Sequence, residues 1–149
     1  MEQYKGGCVC GAVRFVLDEH PLWVVACHCD PCKKRTGSAF GISVVVDSRS
    51  VKEFTGATKT FTRTGDSGKP VHYDFCPNCG TTVRWHVELI ARQVFAGGAF
   101  DRARELRVFG EMYAGEAIPW ARLGCELIRA GAPDDEFRNA MIEKAKASH

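Results

Sequence analysis

Val71-His72-Tyr73-Asp74-Phe75-Cys76-Pro77-Asn78-Cys79-Gly80-Thr81-Thr82-Val83-Arg84-Trp85-His86 decides the fold class. Residues 71–75 and 81–86 are rich in β-branched and aromatic side chains, and each is the length of one strand. Between them stand two cysteines separated by Pro77 and Asn78 and followed by Gly80. A redox pair of the thioredoxin kind sits where a strand runs into a helix; here strands flank both sides. The stretch therefore reads as a hairpin closed by a metal knuckle. Gly80 lets the backbone turn tightly enough for amides to face the sulfurs.

The same texture extends outward. Residues 11–17 alternate apolar and other side chains, as a half-buried strand does. Residues 22–26, 40–46, 51–54, 58–62, 94–100 and 106–113 are further short apolar or β-branched runs. Asp66-Ser67-Gly68-Lys69-Pro70 is a turn. About eight to ten short strands with frequent turns predict a mainly β fold. Residues 134–146 differ. Apolar residues recur there at helical spacing, Asp134, Asp135 and Glu136 stand at the start, and Lys144 and Lys146 stand at the end. That polarity suits a helix dipole. Pro133 is expected in its first turn, and the helix is expected to cap the sheet or to pack on a second subunit.

Seven of the eight cysteines fall into three clusters: Cys8 and Cys10; Cys27, Cys29 and Cys32; Cys76 and Cys79. Thiolates are preferred soft ligands for zinc, which usually takes four donors. Seven divides into four plus three. The knuckle pair needs two more thiolates, and Cys8 and Cys10 are the best candidates because the middle cluster is compact enough to hold an ion on one loop. Four thiolates make a closed structural site that ties the N-terminal strand to the central hairpin. Three leave one position open for water or substrate, which is where chemistry happens. A disulfide framework is the alternative. Met1-Glu2-Gln3-Tyr4-Lys5 carries no apolar signal segment, so a reducing, cytoplasmic setting is expected. At this length a core forms without bridges. Cys125 stands alone among aliphatics and reads as a small buried hydrophobe.

His28 lies between two candidate ligands and is expected to support or flank them rather than bind the ion. Asp30 is expected to turn the loop. Lys33-Lys34-Arg35 offers charge to offset thiolates and attract an anionic ligand, or is simply a solvated loop. The formal net charge of +2 is too small to suggest nucleic acid or an anionic membrane. Basic and aromatic residues form no single stripe. No apolar run approaches the length of a membrane helix.

Gly6-Gly7-Cys8-Val9-Cys10-Gly11-Ala12-Val13-Arg14-Phe15, the run from Cys27 to Gly41, and Phe75-Cys76-Pro77-Asn78-Cys79-Gly80-Thr81 together resemble the glutathione-dependent formaldehyde-activating enzyme family, which includes centromere protein V. Phe95-Ala96-Gly97-Gly98-Ala99-Phe100-Asp101 and Ile118-Pro119-Trp120 resemble its later landmarks. The resemblance covers residues 4–122. It suggests a zinc-binding domain over 1–122 followed by a C-terminal helical extension over 123–149.

The resemblance implies a β-tent of antiparallel sheets. It also implies a structural zinc on Cys8, Cys10, Cys76 and Cys79 and a second zinc on Cys27, Cys29 and Cys32. The implied activity is that of a carbon–sulfur lyase joining glutathione and formaldehyde as S-hydroxymethylglutathione. A thiol in the open position of the second zinc is ionised and held for attack on an aldehyde. Lys33, Lys34, Arg35, Arg63 and Arg84 are the candidates for binding glutathione carboxylates or the developing alkoxide. The alternatives are an enzyme of the same family acting on another thiol or aldehyde, and a zinc-stabilised binding module for protein or nucleic acid without catalysis. A homodimer is compatible with either.

Overall fold

The protein is described here from a computed structural model covering residues 3–88 and 91–149. Its strands are β1 (Tyr4–Gly7), β2 (Arg14–Leu17), β3 (Trp23–Cys27), β4 (Gly41–Asp47), β5 (Val51–Thr55), β6 (Lys59–Thr64), β7 (Pro70–Phe75), β8 (Thr82–Val87), β9 (Arg92–Ala96), β10 (Gly110–Met112) and β11 (Leu127–Ile128). Its α-helices are α1 (Asp30–Thr36) and α2 (Asp135–Lys146). The chain is mainly β, with a three-stranded sheet ordered β1-β2-β5 and an eight-stranded sheet ordered β11-β10-β3-β4-β9-β8-β7-β6.

The large sheet has two apolar faces. Val24, Val44, Val46 and Phe95 pack on Phe15 and Leu17 of the small sheet. Phe15 meets Phe95 at 4.5 Å and Phe100 at 5.0 Å between ring centroids. Each such fully buried ring contributes about 2–3 kcal/mol. On the other face lie Trp23, Val25, Val45, Val94, Trp85, Tyr73 and Val71, joined there by Phe137 and Met141 of α2. The expected C-terminal helix thus caps the sheet. Asp134 caps it in turn, accepting from the Phe137 N–H at 2.9 Å, while Pro133 lies just outside rather than in the first turn. Between β7 and β8 the pairing slips by one residue, so that Asp74 faces Arg84 while Phe75 faces Thr82. The extra residue, Val83, joins the core under the small sheet, while Trp85 serves the opposite face.

Four local expectations are corrected. Residues 11–13 belong to the turn before β2, which begins at Arg14. The run 94–100 is extended only to Ala96, and Gly97–Ala99 forms a 3-10 turn. Of residues 106–113 only Gly110–Met112 pair in the sheet, and they do so parallel to both β3 and β11, so the sheet is not antiparallel throughout. The Lys33-Lys34-Arg35 segment is helix α1, not a loop. Pro31 sits in its first turn, and Gly37 ends it at φ +64 with its N–H bonded to the Lys33 carbonyl. Asp30 starts this helix rather than turning a loop.

Candidate metal centres

Cys8 and Cys10 lie in the turn between β1 and β2, and Cys76 and Cys79 in the turn between β7 and β8. Packing the two sheets brings these turns together until all four Sγ atoms lie within 4.8 Å of one another. Cys8 Sγ is 3.5 Å from Cys10 Sγ, which is 3.7 Å from Cys76 Sγ. A tetrahedral zinc with Zn–S near 2.3 Å needs sulfurs about 3.8 Å apart, so the set fits. Backbone groups support the charge such a cluster carries. The Val13 N–H donates to Cys8 Sγ at 3.2 Å. The hydroxyl and amide of Thr81, with the Cys10 amide, bring the Cys79 thiol down to about 5. Gly80, at φ +75, closes the knuckle by donating its N–H to the Cys76 carbonyl at 2.8 Å.

The second cluster is built where β3 runs into α1. Cys27 is the last residue of the strand, Cys29 caps the helix, and Cys32 lies in its first turn. Cys29 Sγ accepts from the Cys32 N–H at 3.4 Å and lies 3.4 Å from Cys27 Sγ. All three are buried, with sulfurs within 4.8 Å of one another, and no fourth His, Cys, Asp or Glu joins them among the described residues. The donor set fits a soft metal with one position left over. Hydrogen bonds from Cys27 and Cys29, with the Arg35 guanidinium beside it, bring the Cys32 thiol down to about 3. Hydrogen bonds with Cys29 and Cys32, with burial and the charge of those two sulfurs, push Cys27 up.

His28 is fully buried and turned away from the sulfurs. Its Nε2 is 2.9 Å from Glu111 Oε1. Glu111 is itself fully buried, on β10 beside β3, and also accepts from Arg122 Nε and the amides of Leu123 and Cys125 at 3.1–3.2 Å. Burial alone raises a carboxyl. Here the Leu123 amide, Arg122, His28 and the Cys125 amide outweigh it and hold Glu111 at about 2. Cys125 is half-buried, with its amide on this carboxylate.

A cleft of about 370 Å³ opens onto Cys27, Cys29 and Cys32. Trp85, Tyr73 and Met112 supply apolar wall, Arg63 and Arg138 supply positive charge, and Tyr113 stands over the cysteines. Tyr113 holds φ +53, a left-handed conformation that bulky residues rarely adopt. Burial and a hydrogen bond to Asp66 push its phenol up, so it stays protonated.

The five basic candidates separate. Arg63 lines the cleft, with Nε donating to Tyr73 Oη at 3.0 Å. Arg35 is held over the Trp85 ring at 4.2 Å and next to Cys32, with Nε and Nη2 buried and without a hydrogen-bond partner among the described residues. Lys33 is tied to Asp30 at 2.8 Å and to the Glu116 carbonyl at 2.6 Å. Lys34 lies on an adjacent groove with Pro31 and Phe61. Arg84 points to the opposite face of the sheet, where it covers the Phe54 ring at 3.5 Å and pairs with Asp74 at 2.9 Å. Sequence reasoning missed Glu111, Tyr113 and Arg138. Glu111 had a signal, a lone acid inside an apolar run; the other two had none.

A fission-yeast protein (Schizosaccharomyces pombe) described as an uncharacterized lyase is 31% identical over 85 residues, spanning 56% of this chain and 57% of that protein. The chain thus spans little more than half the length of this relative. The sequence pattern of one enzyme family matches residues 3–116, through both cysteine clusters and β10. The chain belongs to the glutathione-dependent formaldehyde-activating enzyme family.

Proposed function

We propose that the protein is a zinc-dependent carbon–sulfur lyase-type enzyme that joins glutathione to formaldehyde as S-hydroxymethylglutathione. The observation that carries this reading is the three-sulfur cluster at the floor of an open cleft. It is set apart from a four-sulfur cluster whose donors are all in the protein. Cys8, Cys10, Cys76 and Cys79 would hold a structural zinc, and Cys27, Cys29 and Cys32 a second one. An ion held by these three would have an open position, and its charge would let a substrate thiol ionise near neutral pH.

The chain's own residues do the rest. In the reaction the thiol sulfur bonds to the aldehyde carbon, the carbonyl π bond breaks, and the thiol proton ends on the former carbonyl oxygen. Tyr113 Oη, kept protonated and bonded to Asp66, would turn that proton from Asp66 to the oxygen as its charge develops. Arg35, stacked on Trp85, offsets the negative charge of three thiolates. Trp85, Met112 and Tyr113 exclude water from the sulfurs, and Arg63 offers its charge to a substrate carboxylate.

Calorimetry of the zinc-loaded protein tests this. Glutathione is expected to bind, and S-methylglutathione at least about tenfold more weakly, because a thioether cannot become an anion. Affinity falls at low pH as the thiols protonate. Equal binding of the two peptides sinks the reading and moves the weight to another ligand class.

A further inference from the structure

The cleft over Cys27, Cys29 and Cys32 is not walled by the family-matched residues alone. The match ends at residue 116, yet Ala132, Pro133 and Arg138 line the same cleft as Arg63. Ala132 and Pro133 lead into α2, and Arg138 lies on it. Phe137 and Met141 anchor the helix on the sheet face that carries Trp23 and Val25, so Arg138, one residue on from Phe137, turns to the rim. Arg63 comes from β6, at the other end of the large sheet from β11, against which α2 also packs. The two guanidiniums therefore reach the cleft from separate elements, and Asp66 is the one acid among its lining residues.

Both have donors to spare. Arg63 uses Nε on Tyr73 and Nη1 on the Thr64 carbonyl, leaving Nη2 without a hydrogen-bond partner among the described residues. Arg138 bonds Asp135 Oδ1 through Nη1 at 3.0 Å, but that carboxylate is 92% exposed. Such a solvated pair is easily exchanged for a ligand carboxylate.

We propose that Arg138 is a specificity-determining residue: with Arg63 it selects thiols bearing a carboxylate remote from the sulfur, so the segment after residue 116 sets the substrate range of this chain. The inference rests on the thiol-binding reading above. It assigns to α2 a role in ligand selection in addition to its role in covering the core.

The test compares glutathione with its diethyl ester, which keeps the thiol and loses both carboxylate charges. Each is titrated calorimetrically into zinc-loaded full-length protein, wild type and Arg138→Gln. Wild type is expected to prefer the acid by about tenfold or more, the discrimination typical of a charge-assisted hydrogen bond. Arg138→Gln should lose most of that preference, leave ester binding unchanged and keep its melting temperature, since the side chain lies on the surface. Equal binding of acid and ester by wild type overturns this inference and leaves the thiol reading standing. Equal weakening of both by Arg138→Gln overturns it too, as loss of shape rather than of charge recognition. Binding of neither peptide overturns both proposals together.

Discussion

A single carboxylate, Glu111, shows how one residue can organise a site it does not enter. It is fully buried, and its oxygens take the His28 ring, the Arg122 guanidinium and two amides from the segment that follows. His28 stands between two candidate ligands, so Glu111 fixes the backbone that presents Cys27 and Cys29. Its carboxyl is held at about 2 instead of 4.5. Because the folded value is the lower one, this group's stabilisation is complete above about pH 4.5 and is lost as pH falls towards 2. Its size is roughly 3 kcal/mol. Glu111→Gln is expected to lower unfolding stability at pH 7 by about that amount and to flatten the acid limb. Denaturant titrations of both proteins across that range check it, with loss of metal common to both. An unchanged acid limb in Glu111→Gln means that the carboxylate does not carry the stability assigned to it.

Between elements, the two sulfur clusters differ in what they connect. One joins the β1–β2 turn to the β7–β8 turn across the sheet interface; the other is held on the junction of β3 and α1. Cys76→Ser is therefore expected to cost at least about 3 kcal/mol or to prevent folding. Cys29→Ser should give a folded protein that has lost its second metal and its thiol binding. Circular dichroism and metal analysis of the purified variants decide the matter, and comparable unfolding in both contradicts the assigned roles. At this scale the sequence was a good guide where side-chain period and packing agree. The runs at 22–26, 40–46, 71–75 and 81–86 read correctly because alternation and β-branching there answer to a large sheet with two apolar faces, while 51–54 and 58–62, mostly exposed, were legible from β-branched and aromatic content and their turns. It misled where chemistry overrode local signals. Cys29-Asp30-Pro31 with Gly37 carries a helix start and stop, but three cysteines in six residues read as a loop. Arg84 looked like Arg63 because nothing local tells the two faces of a sheet apart until the register, with its slip at Val83, is known. Arg138 was beyond reach, since its place over the cleft follows from how α2 docks.

At the scale of the whole molecule, two sheets, a capping helix and two clusters of thiols form one connected structure. No helix among the described residues is long and apolar enough to cross a membrane. Mass spectrometry under native conditions is expected to show two zinc ions per chain. Mild chelation should remove one first, because only one cluster has four protein donors. A single metal, or two lost together, contradicts the division. The clusters also differ in when they can form. Cys10 and Cys76 are 66 residues apart, whereas Cys27 and Cys29 are two apart. Closing the longer loop costs roughly 3 kcal/mol more in chain entropy. The short segment can thus capture an ion while the rest of the chain is still extended, and the knuckle waits until both hairpins have met. On the proposed division of the clusters, the order of loading as the chain emerges is expected to reverse the order of strength in the finished protein: the three-sulfur centre first, the four-sulfur centre last.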